Sequence, residues 1–257
     1  MRRNNSMGVP RRKLIGAAAA SAGLVLSGCD RLNENSAFRS VLRSAEDANR
    51  AAHRLLVDRS ALAREFTQGD LSPEFRMNGT INPSSQSYQT HAAEKFVNWR
   101  LQVNGLVQRP MSLSLAQLTS MPAREQITRH DCVEGWSAIG KWRGPPLSLL
   151  LKSAGLLPAA RFIVFHCADD FDGTPYYESI DLIDAFHPQT ILAWSMNGAQ
   201  LPVGHGAPLR LRAERQLGYK HAKYIMRIEA AESLSDIGGG KGGYWEDVAD
   251  YEWYAGI

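Results

Sequence analysis

The chain has 257 residues, 44% of them hydrophobic and 21% charged. That composition excludes disorder as the main state and suits one large globular domain or two small ones. The formal net charge of +3 comes from 29 basic and 26 acidic residues. Arg2, Arg3, Arg11, Arg12 and Lys13 all precede residue 28 with no acid among them, so the remainder balances 24 against 26, or −2. The basic excess belongs to the N-terminus, which excludes a nucleic-acid-binding surface as its explanation.

That N-terminus reads as a targeting segment. "VPRRKLIG" is a basic region with a twin arginine, and "LIGAAAASAGLVLSG" is an alanine-rich apolar stretch shorter than the roughly 20 apolar residues a membrane span needs. Leu26-Ser27-Gly28-Cys29 resembles a bacterial lipobox, in which the cysteine is acylated and becomes the mature N-terminus. The expectation is a signal peptide over residues 1–28, a lipid anchor on Cys29, and a periplasmic, membrane-tethered protein. The twin-arginine route carries folded proteins, which hints at a cofactor loaded before export.

From Asp30 to Gln68 the chain has no Gly or Pro, and its apolar residues, among them Phe38, Val41, Leu42, Leu55, Leu56 and Leu62, fall near helical spacing. This predicts one long helix or two, a helical segment over 29–69. "GDLSPEFRMNGTINPSSQSYQT" is a long irregular stretch of the kind that is either disordered or functional, and its Arg76, Asn78, Gly79 and Thr80 favour function. "FVNWRLQVNG" alternates as a strand with Val97, Trp99, Leu101 and Val103 on one face. Ser114 is placed to cap a short helix in "SLAQLTSM", and "REQITRHDC" reads as a strand. "PPLSLLLKSAG" is a helix with Pro145 or Pro146 in its first turn and Gly155 past its end. "RFIVFHCADD" is a buried strand, "IDLIDAF" a short helix, and "TILAWSMNGAQLP" a strand entering an Asn197-Gly198 turn. "PLRLRAE" and "KYIMRIEAAESL" are further strands. Strands and short helices interleave irregularly, which predicts an α+β fold with a mixed sheet in a single domain. The Gly-rich and aromatic tail over 236–257 lacks the Lys-Ser/Thr pair of a phosphate loop and reads as a turn followed by a segment packed onto the domain.

Cys132, in "RHDCVEGW", is the residue whose role matters most. It reads as a core residue, as a disulfide partner of Cys167 in an oxidising compartment, or as a thiolate that attacks substrate or holds a metal. Arg129 and His130 beside it are expected to lower the thiol pKa. A cysteine-protease reading is weak, since His130 lies too close along the strand to act as an independent base. A zinc site from His130, Cys132, His166 and Cys167 is disfavoured because adjacent strand residues such as His166 and Cys167 point to opposite faces. Downstream, "VGHGAPLRLRAERQLGYKHAKYIMRI" gathers His205, Arg210, Lys220, His221 and Lys223. These are residues that bind phosphate, or the solvated basic face of a strand pair.

Taken in order, "FRMNGT", "RHDCVEGW", "FHCADD", "AFHPQTILAWSMNG", "GHGAPLRL" and "GYKHAKYI" resemble the sulfite oxidase family of molybdopterin-dependent oxidoreductases. The resemblance is greatest to its bacterial periplasmic branch, which includes the protein-methionine-sulfoxide reductase catalytic subunit. It covers residues 70–235 and implies a mixed-sheet molybdopterin-binding fold, a Mo-molybdopterin cofactor and two-electron oxygen-atom transfer. It further implies that Cys132 is the catalytic thiolate ligating molybdenum. Asn78, Cys167, His205, Arg210 and the run His221, Ala222, Lys223 match positions that hold the pterin and its phosphate. At two of these, Cys167 and His205, that branch has threonine and asparagine, so its substrate is not carried across.

Neither an immunoglobulin-like dimerisation domain nor a "CxxCH" haem motif is found, so the expectation is a monomer. Electrons are expected to come from a separate membrane b-type or soluble c-type cytochrome. Reduction of a small-molecule or protein-bound S-oxide or N-oxide is the first expectation for the reaction. A sulfite oxidase-type dehydrogenase is the alternative, and a metal-free secreted binding module the non-enzyme one.

Overall fold

The computed structural model describes residues 35–257. The proposed signal segment and Cys29 lie outside the described residues. The chain divides into a unit ending at Leu55 and a second from Leu56 to Ile257.

Helix α1 (Ser36–Leu56) starts where Asn35 Oδ1 accepts from the amides of Ala37 and Phe38, at 2.9 and 3.2 Å, satisfying donors that an open helix end leaves bare. The periodicity predicted helix as far as Gln68, but α1 stops twelve residues short of it. Asp58 Oδ1 accepts from the Ser60 amide at 2.8 Å and forms a local turn, the side-chain competition that ends helices. Beyond it the backbone is claimed by tertiary partners. Ala63 exchanges hydrogen bonds with the Gln189 side chain, and the Phe66 amide donates to the Ile127 carbonyl at 2.8 Å.

Helix α2 (Gln86–Ala93) leads into strand β1 (Arg100–Gly105). Trp99, Leu101 and Val103 are buried as the alternation predicts, but Val97 is exposed. Lys95 and Phe96 adopt positive φ, so the chain turns before β1 and Phe96 takes the inward place expected of Val97. Strand β2 (Met111–Ser114) runs into helix α3 (Leu115–Ser120). Ser114 caps it in a reciprocal box, its Oγ accepting from the Gln117 amide while Gln117 Oε1 accepts from the Ser114 amide. Strands β3 (Arg124–Asp131) and β4 (Ser137–Gly144) follow, then helix α4 (Leu147–Ala154). Pro146 caps α4 rather than sitting in its first turn, and Gly155 ends it at φ +70°.

The remaining elements are β5 (Phe162–Phe171), β6 (Thr174–Asp181), α5 (Leu182–Ala185), β7 (Ile191–Ala193), β8 (Ser195–Met196), β9 (Ala199–Gln200), β10 (Arg210–Arg212), β11 (Ile225–Ala231) and α6 (Tyr244–Ala249). A five-stranded sheet has the order β2-β1-β11-β5-β6. Its β1–β11 pair is parallel and its other pairs antiparallel, which makes it mixed. A four-stranded sheet runs β3-β4-β8-β9, and β10 pairs with β7. The principal core lies around β1, α4, β5, β10 and β11, with Trp99, Leu150, Phe165 and Ile228 fully buried. Truncating such a leucine to alanine costs about 2–5 kcal/mol. The architecture places the ends of β3 and β5 and the start of β10 around one cleft. Among the described residues no helix is long and apolar enough to cross a membrane.

Candidate active site

Cys132 follows β3 in a tight turn. Its amide donates to the Trp136 carbonyl at 2.9 Å and its carbonyl accepts from the Gly135 amide at 3.0 Å. Gly135 sits at φ +84°, a conformation that strains any residue with a Cβ. The turn leaves Cys132 only 7% exposed. From the facing loop, Asn78 Nδ2 lies 3.5 Å from Cys132 Sγ. That loop is pinned by Lys223, whose Nζ donates to the carbonyls of Asn78 (2.7 Å) and Thr80, and by the Tyr224 hydroxyl, which donates to Thr80 O at 2.8 Å.

The expectation of a depressed thiol pKa is overturned. Burial pushes the Cys132 thiol up, against the hydrogen bonds from the Glu134 backbone and the Asn78 side chain and with the Glu134 carboxylate adding to the rise. The cations expected to act on it face elsewhere. Arg129 pairs with Asp131 at 2.9 Å. His130 is buried with its Nδ1 3.0 Å from Arg212 Nη1, and since a guanidinium only donates, Nδ1 accepts. Burial, reinforced by Arg212, holds the His130 pKa well below the usual value, so the ring is neutral.

Cys132 and Cys167 are both free thiols, which removes the disulfide reading. His166 pairs with Glu229 at 2.8 Å, away from Cys167 as the strand geometry required. No three His, Cys, Asp or Glu side chains gather as a metal site among the described residues.

The cleft has a cavity volume of about 140 Å³, and Cys132, Asn78, Asp169, Arg210, His221 and Lys223 are among the residues that line it. Arg210 and Lys223 make no ion pair with a carboxylate among the described residues. Arg210 donates to the carbonyls of His205 and His221, at 3.0 and 3.5 Å, and its Nε is buried with no partner. Burial and the neighbouring Arg212 charge bring the Arg210 pKa down to about 9. Burial and Arg210 bring that of Lys223 down to about 8. Arg212, one strand repeat further on, is fully neutralised by a two-point contact with Glu214 at 2.9 and 2.6 Å. The contrast is informative: Arg210 is a buried cation and Lys223 a half-buried one, neither in direct contact with a carboxylate and with only Asp169 near Lys223, a combination that favours an anion in the cleft.

His221 adds a polar atom of the same kind. Its Nε2 donates to the carbonyls of Ala213 and Gln216 at 2.9 and 3.1 Å. Burial keeps the ring neutral, so Nδ1 is a bare acceptor, and it too is buried without a partner. The cleft thus offers two cations and an acceptor to a ligand carrying phosphate and ring N–H groups.

Of the residues predicted from sequence, Asn78, Cys132, Arg210, His221 and Lys223 line the cleft, whereas Cys167, His205 and Ala222 do not. Cys167 Sγ points to the Phe165 carbonyl at 3.9 Å. The His205 ring packs edge-on to Phe75 at 5.7 Å, and burial beside Arg210 and Lys223 lowers its pKa to about 4. Ala222 supports β10 through its carbonyl, which accepts from the Leu211 amide at 2.8 Å. Gly206, at φ +107°, is needed there because a Cβ would meet Lys223 Cβ at 2.9 Å.

Sequence reasoning missed Asp169, which lines the cleft with Oδ1 buried and unpartnered. Its pKa is raised to about 6 by burial, against the pull of Lys223. The signal was present in the alternation Cys167, Asp169, Phe171, which puts Asp169 on the face of β5 that carries Phe171. Tyr176, Tyr219, Trp245 and Tyr251 also line the cleft; the aromatic bias of the tail was the only trace of Trp245 and Tyr251, and Tyr219 lies within the motif "GYKHAKYI".

Comparison with known proteins agrees with this geometry. Residues 88–236, more than half of the chain, match the model of the oxidoreductase molybdopterin binding domain. A protein-methionine-sulfoxide reductase subunit of Azospira oryzae is 36% identical over 96% of this chain and 87% of its own length. The protein-methionine-sulfoxide reductase catalytic subunit of Gluconobacter oxydans is 38% identical over 60% of this chain, and the match spans 52% of that protein. Among solved structures, the sulfane dehydrogenase SoxCD of Paracoccus pantotrophus aligns with a TM-score of 0.51 at 21% identity, over 60% of this chain and 41% of that one. The last match concerns the fold alone, which is the mixed α+β, single-domain type expected from the sequence.

Proposed function

The chain belongs to the molybdopterin-binding oxidoreductases and is an enzyme that uses the Mo-molybdopterin cofactor; from that premise we propose that it reduces S-oxides in the periplasm, with Cys132 as the protein ligand to molybdenum. The observation that carries the reading is the convergence of Cys132 with two cations that make no ion pair with a carboxylate, the buried Arg210 and the half-buried Lys223, on one cleft. A phosphate-bearing pterin would supply the missing negative charge, and the bare Nδ1 of His221 would take one of its donor groups. Asn78 would steady the Cys132 sulfur through its amide. Cys167, His205 and Ala222 would act from behind the cleft wall, His205 by presenting its carbonyl to Arg210. The domain that does this spans 70–235, close to the matched region.

When bound, the cofactor supplies two-electron oxygen-atom transfer. In balance, a sulfoxide takes up two electrons and two protons and leaves as a thioether and water. The protein must deliver protons to a largely buried site. Asp169 is suited to this, because a carboxyl with a pKa near 6 holds a proton in part of the population near neutrality. Arg210 and Lys223 hold the anionic part of the cofactor, and Gly206 lets Lys223 approach the Arg210 strand closely. Electrons come from a separate redox protein, a reading supported by the name "subunit" carried by both relatives. The twin-arginine signal and the acylated Cys29 complete the proposal as a periplasmic lipoprotein.

The test is elemental analysis of protein purified from a cofactor-competent host, together with dye-linked turnover of methionine sulfoxide and of sulfite. About one molybdenum per chain, lost or spectroscopically altered in Cys132→Ser, with sulfoxide reduced faster than sulfite is oxidised, is the expected result. A well-folded protein without molybdenum, or one that prefers sulfite, overturns the proposal.

A further inference from the structure

The proposed chemistry engages the buried wall of the cleft and leaves its outer wall unexplained. Phe171, Tyr219, Trp245 and Tyr251 line the cleft yet are each partly exposed, unlike Cys132, Asp169 and Arg210. The rings hold one another. Phe171 and Trp245 have centroids 5.4 Å apart, Trp245 stacks on Tyr251 at 5.9 Å, and Tyr251 meets Tyr219 edge-on at 5.1 Å. Two of the four belong to the C-terminal segment that begins with α6.

A short helix of six residues does not hold its place by its own hydrogen bonds. What fixes it is a buried charge. Glu246 on α6 accepts from Lys220 Nζ at 2.6 Å, and Lys220 also donates to Glu178 on β6. All three side chains are at most 1% exposed. One ammonium facing two carboxylates leaves a net negative charge unless a proton is retained. Burial, opposed by Lys220 and reinforced by Glu246, pushes the Glu178 pKa well up. Lys220 lies between Tyr219 of the outer wall and His221 of the inner wall, so a single turn carries both surfaces and the lock. The Tyr219 hydroxyl in turn donates to the Glu252 carbonyl at 2.6 Å.

The charges on the cleft sharpen the picture. Under the proposed function Arg210 and Lys223 are taken up by the cofactor. What remains for a substrate is aromatic surface with the carboxyls of Glu134 and Asp169. Such a wall favours neutral, polarisable sulfur groups, through sulfur–aromatic contacts, and repels oxyanions.

We infer that the segment Tyr244–Tyr251 is the specificity wall of the cleft, selecting neutral alkyl or aryl sulfoxides over small oxyanions, and that Lys220 is the residue that positions it. The inference deepens the proposed function and rests on its assignment of Arg210 and Lys223. The test compares holoenzyme with Trp245→Ala, Trp245→Phe and Lys220→Met variants, using methyl phenyl sulfoxide and sulfite as probes. Dissociation constants come from calorimetry without turnover, beside KM, kcat, molybdenum content and the rate of tryptic cleavage at the exposed Lys241. Trp245→Ala should weaken methyl phenyl sulfoxide about tenfold in both Kd and KM, with molybdenum content kept and kcat changed less than KM. Trp245→Phe should restore most of the loss. Lys220→Met should weaken the sulfoxide similarly and speed cleavage at Lys241. Sulfite should fail to compete. An unchanged Kd in molybdenum-loaded Trp245→Ala, or sulfite competing as tightly as the sulfoxide, overturns the inference. The two Trp245 variants decide the matter even if Lys220→Met does not accumulate. Absence of molybdenum from the wild type strikes the cofactor reading and, with it, the sulfite comparison, whereas the binding of methyl phenyl sulfoxide by the Trp245 variants still scores the wall.

Discussion

The side-chain amide of Asn78 reaches the Cys132 sulfur at 3.5 Å across the cleft, tying an irregular loop to the end of β3. A donor to sulfur stabilises the thiolate and fixes its direction, the two things a metal ligand needs. Asn78→Ala should therefore lower molybdenum retention by about 10- to 100-fold in affinity while leaving the fold intact. Metal content after dialysis against a chelator, with circular dichroism beside it, reads both parts. Full retention would remove Asn78 from the metal's surroundings.

Lys223 gives a pH dependence with a definite sign. Its ordinary pKa of 10.5 falls to about 8 in the fold through burial and the Arg210 charge. Between those values the unfolded chain binds more protons than the folded one, so the stability of cofactor-free protein should rise as pH goes from 8 to 10.5. An anion in the cleft neutralises Lys223, raises its pKa and flattens that slope. Pyrophosphate should accordingly raise the Tm of the cofactor-free protein at pH 7 by roughly 2–4 °C for each kcal/mol of binding. Lys223→Met should weaken the pyrophosphate effect and remove the part of the slope between pH 8 and 9, leaving the contribution of Arg210 above pH 9, in differential scanning calorimetry.

Arg212 and Glu214 form a pair with no exposed side-chain surface, and Arg212 also fixes the tautomer of His130. Removing one partner strands the other charge in the core. Arg212→Met should cost about 3–5 kcal/mol in urea unfolding. Glu214→Gln should cost less, since the neutral amide can still accept from Arg212. Equal costs for the two would show that packing rather than charge dominates there.

Gly218 touches the same system from the other side. A Cβ at this position would stand 2.5 Å from two ring atoms of His130. Gly218→Ala must displace His130 from Arg212 or shift the turn that carries Lys220, costing about 1–3 kcal/mol. Thermal melting measures the cost, and an unchanged Tm would mean that the turn yields freely.

The sequence was most informative where a strand alternates or a turn has its own chemistry. Leu101 and Val103, the Ser114 cap and the positive-φ Asn197-Gly198 turn appear where local pattern put them. It misled where tertiary partners decide. Asp58 ends α1 by a local turn, and Gln189, far along the chain, then captures Ala63, so an unbroken apolar pattern does not become helix. Convergence of Cys132, Arg210 and Lys223 followed from ordered motifs and their resemblance, not from spacing. The Lys220 lock joins Glu178 and Glu246 across 42 and 26 residues, and no local pattern encodes such a contact. The thiol pKa went the other way because neighbours in sequence, Arg129 and His130, are not neighbours of the sulfur.

The central claim is that Cys132 ligates molybdenum, and the direct test counts sulfur around the metal. Molybdenum K-edge X-ray absorption on the holoenzyme should find the cofactor's sulfurs and one more, with that extra sulfur absent from a molybdenum-loaded Cys132→Ser variant. An identical sulfur count in wild type and variant would contradict the account, because the cleft would then hold the cofactor without its thiol.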